Sequence, residues 1–422
     1  MVCGHGNPSR AAERAACKSA IVGTEPGGSQ RGFPNRINLT HVAHVFLPPP
    51  MSADDSSATP GQVVRHRAPM ARLALIIVVL LVVYASLYPF TGWVDVGLPA
   101  FAYLRAPWPE YWVGSEIVAN VAAYLPVGAL FVWALYPACR RVAAVLAAVV
   151  FCTLLSGSLE ALQTYLPNRI ASNVDLAANA GGGLLGALAG AATAPSLIGD
   201  GALVRWRHRW FAPEAGSALI LAALWVFMQI PRQPMLFGTG ELWRLVGDWA
   251  ALPSQLLGEV WTPSPGQRIM AEQLCTGAAV VAVSMLLLHV ARPVPGRGML
   301  PAALVCCALL VKAVLQPLAV PAQAGGAWIT IGAVVGVVGG LALATGGAYL
   351  QPSWQRVLGM TALCVQLAIV NLLPSDLYFE MTAAVARTSW LHLESLTQSL
   401  SVIWVVAALF FLARRRVGSA SR

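Results

Sequence analysis

Lysine is nearly missing from this chain: Lys18 and Lys312 stand against 25 arginines among 27 basic residues. Acidic residues number 18, and charged residues of all kinds make up 11% of the 422, where an ordinary soluble domain has about a quarter. So little charge excludes a water-facing globular surface for most of the chain. The formal net charge of +9 is not a phosphate-binding patch. The arginines stand beside the ends of apolar runs and not on one soluble module, which is the pattern of topogenic charge. Nucleic acid is thereby excluded as a partner.

Other absences narrow the class further. The eight cysteines show neither zinc spacing nor a disulfide framework. Cys152, Cys275, Cys306, Cys307 and Cys364 fall inside apolar runs, where cysteine acts as a small hydrophobe. The seven histidines are scattered, so no metal site is expected, and no motif calls for a cofactor. Gly181–Gly183 follows no apolar strand and is not read as a phosphate loop. The apolar runs lack the alternation of a barrel strand, which excludes a transmembrane β-barrel.

What the chain has is long apolar runs. Hydrophobic residues are 57% of it and its mean hydropathy is +0.66. A bilayer span needs roughly 20 mostly apolar residues in a helix, and helices satisfy their own backbone in lipid. Ten such spans are expected, at about 73–90, 114–135, 142–163, 175–195, 216–233, 270–290, 299–319, 328–349, 357–373 and 399–413. The fold class is all-α, a polytopic transmembrane helical bundle. Residues 1–70 carry Gly, Pro, Ser and Arg without a sustained apolar run and are expected to be disordered. They show no secretory h-region, and Met51 and Met70 are alternative start sites that would make residues 1–50 a mis-assigned extension. Residues 71–197 read as a four-helix membrane domain and 198–422 as a second membrane region of about six spans.

Basic residues between the spans are unequally shared. One side holds Arg65, Arg67, Arg72, Arg140, Arg141, Arg205, Arg207, Arg209, Arg292, Arg297, Arg356, Arg414, Arg415, Arg416 and Arg422; the other holds Arg105, Arg169, Arg232, Arg244, Arg268 and Arg387. The richer side is expected in the cytoplasm, with both termini there. On the poorer side, residues 234–269 place Leu242, Leu245, Val246, Trp249 and Leu252 at helical spacing, which suggests a helix lying in the interface. Residues 374–398, around Trp390, suggest the same. Small residues recur every fourth position at Gly182, Gly186 and Gly190 and at Gly332, Gly336 and Gly340, a signal for close helix packing.

Polar residues gather at one level of spans 2 to 4. Glu116 and Asn120 are one turn apart; Ser156, Glu160 and Gln163 share a face; Asp175 and Asn179 are again one turn apart, with Arg169 in the short loop between spans 3 and 4. Ionisable groups at that depth are costly and default to a functional reading. Structural readings stand beside it. Ser172 and Asp175 fit a capping box, Arg169 an interfacial anchor, and Asn120 and Asn179 interhelical hydrogen-bonding glue. Glu160 follows an apolar run and needs a partner. Arg169 is the only cation in the loop and the expected intermediary between Glu160 and Asp175. Lys312, deep in span 7, is open to three readings: snorkelling, pairing, or a transport site.

The stretches Asn120-x-x-x-Tyr124-Leu125-Pro126-Val127-Gly128, Ser158-Leu159-Glu160-x-x-Gln163-x-x-Leu166-Pro167-x-Arg169 and Asp175-x-x-x-Asn179-x-x-Gly182, with Tyr88-Pro89-Phe90 at the end of span 1, resemble the VanZ-like family. The resemblance covers about residues 72–195; Glu116 departs from it, standing where Asp is expected. It implies a role in the bacterial cell envelope, since the family is named for a protein associated with low-level teicoplanin resistance. It brings no settled activity. The expected function is therefore binding of an envelope lipid or lipid-linked precursor at a site of Glu116, Asn120, Glu160, Gln163, Arg169, Asp175 and Asn179, in a multi-pass protein of the cytoplasmic membrane. An effect on glycopeptide susceptibility would be its consequence. Two alternatives stay open. One is an enzyme on a lipid-linked substrate using Glu160 and Asp175 as acid and base; the other is a transporter or flippase.

Overall fold

The computed structural model describes residues 69–108, 114–139, 141–198, 201–231, 233, 235–242, 264–319, 326, 328–373 and 391–414. The expectations for residues 1–68, for an interfacial helix around Leu245 and Trp249, and for the segment around Trp390 lie outside these residues.

Regular structure among the described residues is helical. The helices are α1 (Pro69–Leu87), α2 (Gly114–Leu135), α3 (Arg141–Gln163), α4 (Asn173–Leu197), α5 (Ala202–Trp210), α6 (Gly216–Phe227), α7 (Pro265–Val290), α8 (Leu300–Ala319), α9 (Ile331–Gly347), α10 (Pro352–Leu372) and α11 (Leu391–Ala413). A one-residue bridge pairs Phe211 with Ala291. Eight of the helices are long and apolar enough to cross a membrane.

The starts of several helices are written locally. Ser172 caps α4 by accepting from the amides of Val174 and Asp175, satisfying donors that a first turn leaves orphaned. Ser264 and Gln267 form a capping box at the start of α7, with Pro265 in its first turn. Thr330 caps α9 through the Ala333 amide.

A helix lies on each of the ten expected spans, but two of them, α6 and α9 (17 residues), are shorter than the eight that are long enough to cross a membrane, and α6 falls furthest short. Its 12 residues rise about 18 Å, short of the ~30 Å hydrocarbon core. The expected span at 216–233 is corrected accordingly. Pro231 has no amide hydrogen to give the Phe227 carbonyl, and the helix stops there. The chain continues without helical structure and stays buried at Met228, Gln229, Leu236, Phe237 and Thr239.

Irregular backbone at membrane depth survives only where protein satisfies it, and the surrounding helices do so here. Thr276 of α7 donates to the Leu236 carbonyl, Gln366 of α10 to that of Thr239, and Asn371 of α10 to that of Gly240. Ser401 of α11 accepts from the Gly240 amide. Lys312 of α8, 1% exposed, donates to the carbonyls of Gln229 and Pro231 at 3.1 and 3.2 Å. Lys312 is thus paired with backbone oxygens at the broken end of α6. Those oxygens lie just past the last helical residue, Phe227, close to the negative end of the helix dipole, where a cation is favoured.

The glycine stripes seat the helices. A side chain at Gly182, Gly186 or Gly190 would collide with α2 at Val121, Leu125 or Ala129. One at Gly332, Gly336 or Gly340 would collide with α7, from Ile269 to Val280. Each stripe therefore lays one helix directly on its neighbour's backbone. In the second region α7 is buried on every side from Ala279 to Val290, as a central helix must be.

One end of the bundle collects arginine. Arg72 on α1 donates to Ala134 at the end of α2. Arg292 bonds Phe211 at the start of the α6 region, while Gly216 lies against Met70. Arg297 donates to the Ala348 carbonyl past α9, and Arg356 on α10 to that of Arg414 past α11. The starts of α1, α3, α6, α8 and α10 and the ends of α2, α7, α9 and α11 therefore share one arginine-rich end.

Candidate functional site

The polar cluster lies at the opposite, arginine-poor end of α2, α3 and α4. Asn120 on α2 donates to the Asp175 carboxylate on α4 at 2.8 Å. Asn179, one turn further along α4, donates to Ser156 of α3 at 2.9 Å. Glu160 on α3 accepts from the Ser172 amide at 2.9 Å, so its carboxylate is tied to the residue that caps α4. These bonds cross the α2–α4 and α3–α4 contacts and set Glu160, Asp175, Asn120, Asn179 and Ser156 around one centre. Glu160 is 4% exposed and Ser156 fully buried.

The remaining expected residues sit at the edge. Glu116 is exposed, within electrostatic reach of Asp175. Gln163 turns toward α1 and donates to the Ser86 carbonyl at 2.9 Å. Arg169 donates through Nη2 to the Ala85 carbonyl at 2.6 Å. It makes no ion pair with Glu160 or Asp175, and both act on it only through their field. Burial draws the Arg169 guanidinium below its ordinary range, and the two carboxylates pull it back. The expected bridge between the carboxylates is therefore electrostatic and not a hydrogen bond.

Pro89 explains where Arg169 goes. In a continuing helix the amide at position 89 would bond the Ala85 carbonyl, but proline has none. The amide of Phe90 turns back to Leu87 instead of reaching Ser86. Arg169 and Gln163 supply the two missing donors. Helix-end carbonyls need such partners, and charge-assisted ones are the stronger kind.

Three buried polar atoms in this region stay without a hydrogen bond: Arg169 Nε, Asn179 Oδ1 and the Tyr124 hydroxyl, which faces Ser156. Tyr124 and Ser156 were not among the expected ligand residues. The Tyr124-Leu125-Pro126 motif carried Tyr124, and the four-residue step to Glu160 carried Ser156. Among the described residues no group of three or more His, Cys, Asp or Glu is placed to hold a metal.

Long apolar helices packed through glycine, with their polar groups confined to bundle ends and contacts, define an integral membrane protein of several helical spans. Within it, residues 39–192 match the family model VanZ/LLP1. The match supports a VanZ-like assignment for that part of the chain; it begins before the described residues and takes in α1 to α3 and nearly all of α4. No curated protein and no solved structure matches the chain.

Proposed function

We propose that the α1–α4 domain binds the polar head of an envelope lipid or lipid-linked precursor at the arginine-poor end of the bundle. The observation that carries this reading is the set of buried, incompletely bonded polar groups between α2, α3 and α4. Two carboxylates lie close together there, and Arg169 Nε and Asn179 Oδ1 are without partners. Buried polar atoms left unbonded cost free energy, and hydroxyls or a phosphate of a headgroup would satisfy them. Arginine suits a phosphate, while Glu160 and Asp175 suit sugar hydroxyls. The arginine-rich end faces the cytoplasm, which puts the site in the outer leaflet of the cytoplasmic membrane. Glycopeptide susceptibility is the cellular readout of such a role.

Lipid extracts of the purified protein test this. Wild type should carry a specific polar lipid, and Glu160→Gln should lose it while remaining monodisperse. An unchanged lipid complement in Glu160→Gln overturns the proposal.

A second reading, catalysis on the same lipid, is favoured by the unlike surroundings of the two carboxylates. Asp175 accepts from a side-chain amide and Glu160 from a backbone amide. Unlike environments are how one carboxyl becomes acid and the other base. Turnover of the bound lipid by wild type, and not by Asp175→Asn, would favour it over binding alone.

A further inference from the structure

The segment joining α1 to α2 has an unusual surface for a water-exposed loop. Phe90, Trp93, Val94, Val96, Leu98, Phe101, Leu104 and Trp108 are all exposed there. Its charged residues among those described are Asp95 and Arg105, which cancel. Soluble surfaces rarely leave so many large apolar side chains contiguous.

The segment is nevertheless fixed in place. The Val94 amide donates to the Tyr165 carbonyl at 2.9 Å, and Thr164 donates to that of Ala100 at 3.3 Å. Asn173 donates to the Ala106 carbonyl at 2.9 Å. A 3-10 turn, Ala102–Arg105, carries Tyr103, whose buried hydroxyl donates to the Gly157 carbonyl of α3 at 3.0 Å. The turn closes its own backbone through Ala102 to Pro99, Leu104 to Phe101 and Ala106 to Tyr103.

The Tyr103 contact gives the depth. Gly157 precedes the end of α3 at Gln163 by six residues, which is about 9 Å along the helix axis. The Tyr103 side chain therefore reaches below the rim of the bundle and pins the turn against the outer part of α3. Its neighbours Phe101 and Leu104 are exposed, as are Val118 and Leu125 of α2, Leu154 and Leu162 of α3, and Ile170 in the next loop, 89% exposed.

We infer that residues 90–108 form a re-entrant apron set into the leaflet at the arginine-poor end, its apolar side chains in contact with lipid. Four observations point to lipid as the occupant. The surface is apolar and uncharged overall. The helices α2 and α3 expose apolar side chains as well. The segment's two tryptophans sit at the end of the bundle, where aromatic belts form. The amides of Val94, Gly97, Ala102, Leu104 and Ala106 are bonded within the protein, which favours a place at the hydrocarbon boundary. This placement stands whether or not the polar cluster binds a headgroup.

A photoreactive benzophenone amino acid, placed singly at Phe101, Leu104 and Trp93 in the full-length protein, tests the inference in native membranes. Leu80, on the exposed face of α1, is the lipid-facing control. Irradiation should give a lipid adduct at Phe101 and Leu104, seen as a small mass increase, with a yield within about threefold of Leu80. A crosslink to another polypeptide would show a protein partner or a second copy on this face, and would overturn the lipid assignment. Absence of any adduct where Leu80 labels would place the segment in water, and would overturn it as well. Three separate exposed positions keep the result readable if one variant misfolds.

Discussion

Arg169 donates to the Ala85 carbonyl at 2.6 Å, the oxygen that Pro89 leaves without its helical donor. A residue that stood out in the sequence as a ligand for carboxylates or phosphate also closes the end of the first helix. The two roles separate experimentally. Arg169→Ala should destabilise the protein by about 1–3 kcal/mol, because a partly buried carbonyl and two unscreened carboxylates remain. Glu160→Gln in the same protein should recover only the electrostatic part, leaving a coupling of about 0.5–1 kcal/mol in a double-mutant cycle on thermal stability. Strict additivity would show that the carboxylates do not sense Arg169.

Gly186 and Gly181 differ only in the face they turn. A methyl group at Gly186 would run into the Leu125 carbonyl of α2, whereas one at Gly181 meets nothing within 4 Å. Gly186→Ala should therefore lower stability by about 1–3 kcal/mol or more. Gly181→Ala should be neutral or slightly stabilising, since alanine favours helix. Melting curves in detergent compare them, and equal effects would contradict the α2–α4 contact.

Lys312→Met should destabilise the second region by about 2–4 kcal/mol. It removes a buried cation whose bonds among the described residues go to backbone carbonyls, and it strands those of Gln229 and Pro231 at a break where no helical donor can return. A melting temperature equal to or above wild type would show that those oxygens find other donors.

The arginine-rich end should face the cytoplasm. A membrane-impermeant thiol reagent added outside intact cells should label a cysteine placed at Asn168, in the α3–α4 loop, and miss one at Pro295, between α7 and α8. Labelling at Pro295 alone would reverse the orientation.

Much of the architecture was legible because a bilayer makes simple demands. A run such as residues 73–83 must be helical in lipid, since nothing else satisfies its backbone. Gly182, Gly186 and Gly190 marked a contact face by spacing alone, and Ser172 marked the start of α4. The interruption of α6 was less visible. Residues 216–233 remain apolar enough for a span, and Pro231 looks like a helix end at the membrane surface. Only the distant donors Thr276, Lys312, Gln366 and Asn371 and the acceptor Ser401 show that the chain continues buried after the helix stops.

By itself, the sequence determined that this is an all-helical membrane protein with a VanZ-like part. It also determined that Glu160, Asp175, Asn120 and Asn179 belong to one level of three helices. Composition and helical periodicity are local properties, readable one segment at a time. Tertiary structure decided which partner each polar group takes: Asn120 takes Asp175, Glu160 the Ser172 amide, Arg169 the Ala85 carbonyl, and Lys312 the broken end of α6. A hydrogen bond is set by ångström-scale approach between residues tens of positions apart. Where helices are seated by glycines against a neighbour's backbone, that approach is fixed by packing and not by any one helix's sequence.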